Sequence, residues 1–370
     1  MSRIRVCWIT SSFLLDVDIP IVPVLQNEYE IDWFILTTNA NYDGDKRLVE
    51  ATGCEQYELI LTQGNFMSPK KAIFYRNLLQ RVKNEGYDLF YFDFLGMPYF
   101  LPIAKRILAK NKIIIAAHNV KTPKGARYYW MAKPYMDYVV KAFRYFQVFS
   151  LNQLDLLRSL TKDTDILYAP LCLKDYGEPT IKKPNAPITF LFFGNIVEYK
   201  RVDLLLQAVH MLKEKGIIDF KVIISGYCRP EKWAGHYSAL CEGLDNVELD
   251  IRRIPNEVIP DLFESSHYFV MPYQDIAQSG AMTVALRYNI PIIASELDTF
   301  KEYMNGKDDG YFFTSGSAES LAETMLKAME DYKDRYDAMR KSQAEKVKEN
   351  LSTEAIINRY KVYINELCLN

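Results

Sequence analysis

Two short apolar runs, His267 to Met271 and Ile290 to Ala294, bracket the segment Pro272-Tyr273-Gln274-Asp275-Ile276-Ala277-Gln278-Ser279-Gly280-Ala281-Met282-Thr283. Runs this short and this apolar are expected to be parallel strands buried on both faces. Gln278 to Tyr288 is then the helix that joins them. A buried strand that exits through Ser-Gly into a helix presents unpaired backbone N–H groups and the positive end of a dipole. Such a junction favours an anion, phosphate above all.

The same alternation runs through the chain. Strands are expected at Ile4 to Thr10, Ile31 to Leu36, Leu89 to Asp93, Ile113 to Ala117 and Phe146 to Ser150. A second series is expected at Ile188 to Phe193, Phe220 to Ser225, Val247 to Leu249, the run ending at Met271, and Pro291 to Ser295. Helical stretches separate them: Ser68-Pro69 is an N-cap followed by a first-turn proline, and Val202 to Lys215 is amphipathic and stopped by Gly216. Ala318 to Lys348, broken near Tyr332 to Tyr336, and Thr353 to Leu367 are expected as the closing helices. Lys174 to Pro187 is rich in Pro, Lys and Gly and interrupts the pattern. With 370 residues, the expectation is two doubly wound α/β domains. Their boundaries are expected at 1–174, 175–187 for a linker, 188–350, and 351–370 for a C-terminal helix that packs back on the first domain. Ligands of such sheets bind at the carboxyl ends of strands, here in an interdomain cleft.

Composition narrows the function classes. Hydrophobic residues make up 49% and charged residues 25%, which excludes a disordered chain. The six cysteines form no CxxC pair and no metal-ligand spacing, so reduced thiols in a cytoplasmic protein are expected. The N-terminal run is too short and too punctuated for a signal peptide, and no stretch is apolar enough to span a bilayer. Charge is unevenly placed: between Asp93 and Asp155 the sole acid is Asp137, amid ten lysines and arginines. Within that region, residues 121–146 interleave Lys121, Lys124, Arg127, Lys133, Lys141 and Arg144 with Tyr128, Tyr129, Trp130, Tyr135, Tyr138, Phe143 and Tyr145. The pattern suits either an anionic membrane surface or a helix that buries its aromatics. No nucleic-acid motif accompanies it.

Polar residues at strand exits are the candidate chemistry. Gly194-Asn195 follows one strand, with Lys200-Arg201 opening the next helix; a glycine lets the backbone approach a ligand and the cations reach a diphosphate. Asp275, Gln278, Ser279 and Gly280 follow a second strand, and Glu296 and Glu302 follow a third. His118-Asn119 closes Ile113 to Ala117 in the first half.

At these residues the chain resembles the GT-B fold glycosyltransferases of the large retaining group that uses nucleotide-diphosphate sugars, often called family 4. Phe192-Phe193-Gly194-Asn195-Ile196-x-x-Tyr199-Lys200, with Asp203-Leu204-Leu205-Leu206 behind it, is similar to that family's strand-turn-helix, and Pro291 through Glu302 to its last βα unit. The family's paired glutamates, separated by seven residues, are absent: Asp275 and Thr283 stand at that spacing, and the chain resembles instead a branch with Gln278-Ser279-Gly280. The resemblance implies a donor diphosphate gripped by Lys200, with Arg201 in place of an arginine that the family often has at Asn195. It implies His118 on the transferred sugar. Catalytic roles therefore fall to His118 and Lys200, and donor contacts to Gly194, Asn195, Lys200, Arg201, Asp275, Gln278, Ser279, Gly280, Thr283 and Glu302.

No metal and no cofactor are expected; Asp16-Val17-Asp18 matches a cation-holding motif but lies in the first loop. The implied activity is retaining transfer of a hexose from a UDP- or GDP-linked sugar to a glycan or lipid-linked glycan. The implied location is the cytoplasm, at the inner face of the cell membrane. Two other readings stand beside it: a nucleotide-sugar 2-epimerase, which needs carboxylates near the sugar, and a non-catalytic two-domain sugar-binding protein.

Overall fold

A computed structural model describes residues 3–122, 128–228 and 233–369. The chain divides into two compact units, Met1–Cys172 with Thr353–Asn370, and Leu173–Ser352. Each is built on one all-parallel sheet. The first contains β1 (Arg5–Ser11), β2 (Glu30–Thr37), β3 (Tyr57–Leu61), β4 (Leu89–Asp93), β5 (Lys112–Ala117), β6 (Tyr145–Val148) and β7 (Asp165–Tyr168) in the order β3-β2-β1-β4-β5-β6-β7. The second contains β8 (Ile188–Phe193), β9 (Phe220–Gly226), β10 (Val247–Ile251), β11 (Tyr268–Met271), β12 (Ile292–Ser295) and β13 (Gly310–Phe313) in the order β10-β9-β8-β11-β12-β13. Strand order therefore reverses between β1 and β4 in one sheet and between β8 and β11 in the other. Those reversals are where a doubly wound sheet opens a crevice for ligand.

Central strands are apolar because helices cover both faces. All five residues of β4 and all four of β11 are buried. Three strands were absent from the sequence expectation: β3, β7 and β13. All three are sheet edges, and β3 is half-exposed and carries Glu58, so no continuous apolar run marks it. The strand expected at Phe146 to Ser150 ends at Val148; Ser150 instead caps the helix Leu151–Leu160, its Oγ accepting from the Gln153 amide. The long closing helix breaks at Asp331, between Ala318–Glu330 and Tyr332–Lys346. The expected helix Gln278 to Tyr288 begins at Gly280, because Gln278 belongs to the loop and Ser279 is its N-cap.

The helix Thr353–Leu369 belongs to the first unit and buries Ile356, Ile357, Tyr360, Tyr363, Ile364 and Leu367. Tyr360 lies 6.0 Å from the Trp8 ring and takes a 2.6 Å hydrogen bond from Gln147. The stretch expected as a linker has no regular structure and is held to the second unit by its side chains. Lys183 donates to the carbonyls of Ser266 (2.5 Å) and Glu264 (2.9 Å), and Thr180 donates to Asp261.

Beside Lys183, His267 is fully buried. Its Nδ1 accepts from the Thr189 amide at 3.0 Å and its Nε2 pairs with the Pro184 carbonyl at 2.9 Å. Only the neutral ring satisfies both partners. Burial, helped by the Lys183 charge, lowers its pKa from 6.5 to about 4. The native pKa lies below the unfolded one, so this stability is complete above pH 6.5 and is lost as pH falls toward 4. The loss is about 3 kcal/mol. We expect hydrogen-exchange protection of β8 and β11 to decline over that interval, after correction for intrinsic rates, and His267→Gln to flatten the decline. An unchanged decline in the variant would remove His267 as its source.

Candidate phosphate and sugar site

The carboxyl ends of β8 and β9 approach too closely for side chains. A Cβ on Gly226 (φ +153°) would lie 1.9 Å from the Gly194 carbonyl oxygen, and Gly194 itself has φ +117°. From Gly194 the chain runs through the single turn Glu198–Lys200, and Lys200 folds back over the strand end. Its Nζ lies 3.1 Å from the position a Gly194 Cβ would take, 5.0 Å from the centre of the Tyr273 ring and 5.9 Å from that of Phe192. Lys200 is only 8% exposed, and it has no carboxylate partner among the described residues. Burial draws its pKa below the ordinary lysine value, and the one charge-based influence that favours the ammonium comes from Tyr199. An ammonium desolvated without a counter-ion is costly unless an anion completes it. Aromatic faces recover part of that cost.

Across from Lys200 begins the helix Gly280–Arg287, with the Cβ of Ala281 3.7 Å from the same Gly194 position. The Ser279 Oγ accepts from the Met282 amide at 3.3 Å, and the Ser279 carbonyl accepts from Thr283. The first-turn amides of Gly280 and Ala281 have no intrahelical acceptor and stay available to a ligand. The loop before them is braced at three points. The Gln274 amide donates to the Tyr199 carbonyl (2.7 Å), Ser295 to the Tyr273 carbonyl (2.6 Å) and Thr299 to the Ile276 carbonyl (2.8 Å).

The remaining expected donor contacts are placed unevenly. Asn195 and Asp275 are exposed, whereas Gln278 and Glu302 are half-buried. Thr283 is buried and its hydroxyl donates to the Gly280 carbonyl at 2.7 Å, so its own helix uses it. The Arg201 guanidinium is forked on Asp203, with Nε and Nη2 at 3.0 and 2.9 Å from the two carboxylate oxygens. Arg201 and Thr283 are thus committed within the second unit, while Lys200, Gly194 and the Gly280 turn converge.

In the first unit His118 leaves the end of β5 and stacks on Phe149, ring centres 4.2 Å apart. Its Nε2 lies 2.6 Å from Asp93 Oδ1, and Asp93 is fully buried at the end of β4. Sequence reasoning missed Asp93 as a site residue. Its signal was present: an acid closing an otherwise apolar strand, as His118 closes the next one. Asp18, set aside as part of an incidental motif, is fully buried too and takes hydrogen bonds from Trp8 Nε1 (2.9 Å) and the Thr10 hydroxyl. Burial, reinforced by the nearby Asp93 charge, pushes the Asp18 carboxyl well above the usual range.

The basic-aromatic stretch divides. The helix Tyr129–Ala142 buries Tyr135, Met136, Val139 and Val140 but leaves Trp130 70% exposed. Lys133 pairs with Asp137 at 2.8 Å. Lys124 and Arg127 lie outside the described residues. Among the described residues no cluster of three or more His, Cys, Asp or Glu could hold a metal ion, and no helix is long and apolar enough to cross a membrane.

Known proteins share this architecture. Residues 178–347 match the family described as glycosyl transferases group 1. A glycogen synthase of Desulfitobacterium hafniense (strain DSM 10664 / DCB-2) is 25% identical over 174 residues, 45% of this chain. That match spans 36% of the length of the curated relative. A glycosyltransferase from Rickettsia africae ESF-5 superimposes with a TM-score of 0.77 at 14% identity, covering all of both chains. Anabaena Alr3699/HepE, solved with UDP and glucose, gives 0.74 at 14% identity over 98% of this chain and all of that one. The pneumococcal O-GlcNAc transferase GtfA, solved with UDP and GlcNAc, gives 0.76 at 10% identity over all of both. The fold is α/β with two Rossmann-like parallel sheets, and its structural neighbours are GT-B proteins.

Gly194→Ala places a methyl group against the Lys200 ammonium at a left-handed φ. We expect it to destabilise the second unit by about 1–3 kcal/mol in chemical denaturation. Gly226→Ala, which meets backbone rather than a flexible side chain, should be the worse of the two. Equal stability of Gly194→Ala and the parent would show that Lys200 does not rest on the glycine.

Proposed function

We propose that the chain is a retaining glycosyltransferase that takes a hexose from a UDP- or GDP-linked sugar to a glycan or lipid-linked glycan acceptor. The observation that carries this reading is the buried Lys200 ammonium, held by aromatic rings with no carboxylate partner among the described residues and set beside the first-turn amides of Gly280 and Ala281. A diphosphate supplies the missing charge and accepts both kinds of donor. The glycosyltransferase group 1 match over 178–347 and the solved neighbours that hold UDP with a sugar favour the same ligand.

In this mechanism the bond between the anomeric carbon and the phosphate oxygen breaks, and its electron pair leaves with the diphosphate. Lys200 and the two amides stabilise the charge that develops there, in place before the reaction begins. The acceptor hydroxyl bonds to the anomeric carbon on the face that the diphosphate left, and its proton passes to the departing phosphate. No protein base is required, and no step is assigned to a metal. His118, its ring fixed by Asp93 and Phe149, orients the transferred sugar. Asp275, Gln278 and Glu302 are assigned to the ribose and sugar hydroxyls. We assign the exposed Trp130 and the lysines around it to contact with an anionic lipid surface at the inner face of the cell membrane.

The test is a panel of UDP-, GDP- and ADP-linked hexoses scored for binding and for transfer or hydrolysis. Lys200→Ala is expected to lower kcat about 100-fold or more, the scale of losing one preorganised oxyanion donor. His118→Ala should lower turnover while leaving UDP or GDP affinity within a few fold. If no nucleotide sugar binds the parent protein, the proposal falls. If Lys200→Ala stays within a few fold of the parent, Lys200 is not the diphosphate clamp.

A further inference from the structure

Two carboxyl oxygens of the first unit are buried with no donor to meet them. Asp18 Oδ1 and Asp93 Oδ2 both lack a hydrogen-bond partner among the described residues, and both side chains are fully buried. A carboxylate oxygen desolvated in this way is costly, because burial removes the water that would have bonded to it. The other oxygen of each group is well served. Asp18 Oδ2 takes hydrogen bonds from Trp8 Nε1 at 2.9 Å and from the Thr10 hydroxyl, which accepts in turn from Trp33 Nε1 at 2.8 Å. Asp93 Oδ1 lies 2.6 Å from His118 Nε2. Each acid is thus satisfied on one side and orphaned on the other.

The fold sets the two acids side by side. Thr10 and Asp93 are register partners in the parallel pair β1–β4, so their side chains leave the sheet on the same face. Asp18 is bonded to Thr10 on that face. Trp8 and Tyr91, two residues earlier on the same strands, stack with ring centres 3.6 Å apart, and Tyr360 lies 6.3 Å from Tyr91. Rings rather than cations surround the acids: among the described residues neither Asp18 nor Asp93 pairs with a lysine or an arginine. Burial, reinforced by the Asp93 charge, holds the Asp18 carboxyl well above the usual range. Two carboxyls that share a desolvated site do not both ionise cheaply.

We infer that one proton is held between Asp18 Oδ1 and Asp93 Oδ2, with Asp18 as its donor, and that Asp18 is thereby a positioning residue for His118. A protonated carboxyl is a donor as well as an acceptor, so this one proton satisfies both orphaned oxygens. The pair then carries a single negative charge. Asp93 accepts from Asp18 on one oxygen and from His118 on the other, which fixes the imidazole proton on Nε2. The hydrogen bonds run from Trp33 through Thr10, Asp18 and Asp93 to His118, and set its tautomer at the end of β5. The role of His118 in turnover rests on the glycosyltransferase reading above; the place of the proton does not.

The experiment records infrared spectra of the full chain at neutral pH, with and without 13C-aspartate, to find the band of a protonated aspartic acid. Nitrogen-15 spectra of the imidazoles report the His118 tautomer, assigned by its loss in His118→Gln. The band is expected in the parent and absent from both Asp18→Asn and Asp93→Asn. Asp18→Asn puts an amide donor in the same place and should keep the His118 proton on Nε2, whereas Asp18→Ala should turn the single tautomer into a mixture. With UDP- or GDP-linked hexoses, Asp18→Ala is expected to lower kcat roughly tenfold, the scale of one charge-assisted hydrogen bond, with KM for the donor within about threefold. Asp18→Asn should recover most of that loss. A parent without the aspartic acid band, or a band that persists in Asp18→Asn, would overturn the shared proton. An unchanged His118 tautomer in Asp18→Ala would overturn the positioning role, and Asp18→Leu repeats that measurement should the alanine variant fold poorly. A parent that shows the band and the tautomer but turns over no nucleotide sugar would uphold the shared proton and sink the glycosyltransferase reading.

Discussion

An all-parallel sheet must return every strand through a crossover, so all of its strands end at one edge. Both sheets of this protein obey that constraint, and the residues that converge at each sheet's edge follow from it. Gly194, Lys200 and the Gly280 turn leave the carboxyl ends of β8 and β11, where strand order reverses. Asp93 and His118 leave β4 and β5, at and beside the reversal of the first sheet. Residues eighty positions apart meet because the crossovers deliver them, with no local sequence relation between them.

The electrostatics of the second unit turn on one lysine, Lys200, buried against aromatic rings with no carboxylate partner among the described residues. Lys200 lies over Gly194 because glycine leaves it room, and Tyr273 and Phe192 supply ring faces in place of a carboxylate. A carboxylate in that position would neutralise the lysine permanently and compete with any phosphate. Arg201 illustrates the alternative: one residue further on, its fork is taken by Asp203. The two neighbours in sequence thus have opposite electrostatic fates, decided by what each finds within reach.

Legibility from sequence followed the same physics. Central strands were visible because burial on both faces leaves an unbroken apolar run, as in Leu89 to Asp93. The edge strands β3, β7 and β13 were not, since one flank is unpaired and polar residues such as Glu58 enter. The helix start at Gly280 was visible because Ser279-Gly280 has a capping signature of its own. Asp93 was missed because an acid at a strand end is indistinguishable from a helix-cap acid until its partner is known.

The helix Thr353–Leu369 completes the core of a unit whose other residues precede Leu173. Its Tyr360 ring lies against Trp8 and Tyr91, and its Tyr363 hydroxyl bonds the Asp165 carbonyl. During synthesis the amino-terminal sheet leaves the ribosome first but cannot close over those aromatic rings until the whole second unit has followed. The first unit therefore cannot complete its core before the later-made unit has been synthesised, unlike a domain that is continuous in sequence. The later-made unit, continuous in sequence, can mature while the earlier one waits with Trp8 and Tyr91 uncovered, which makes that waiting surface the natural point of attention for a chaperone.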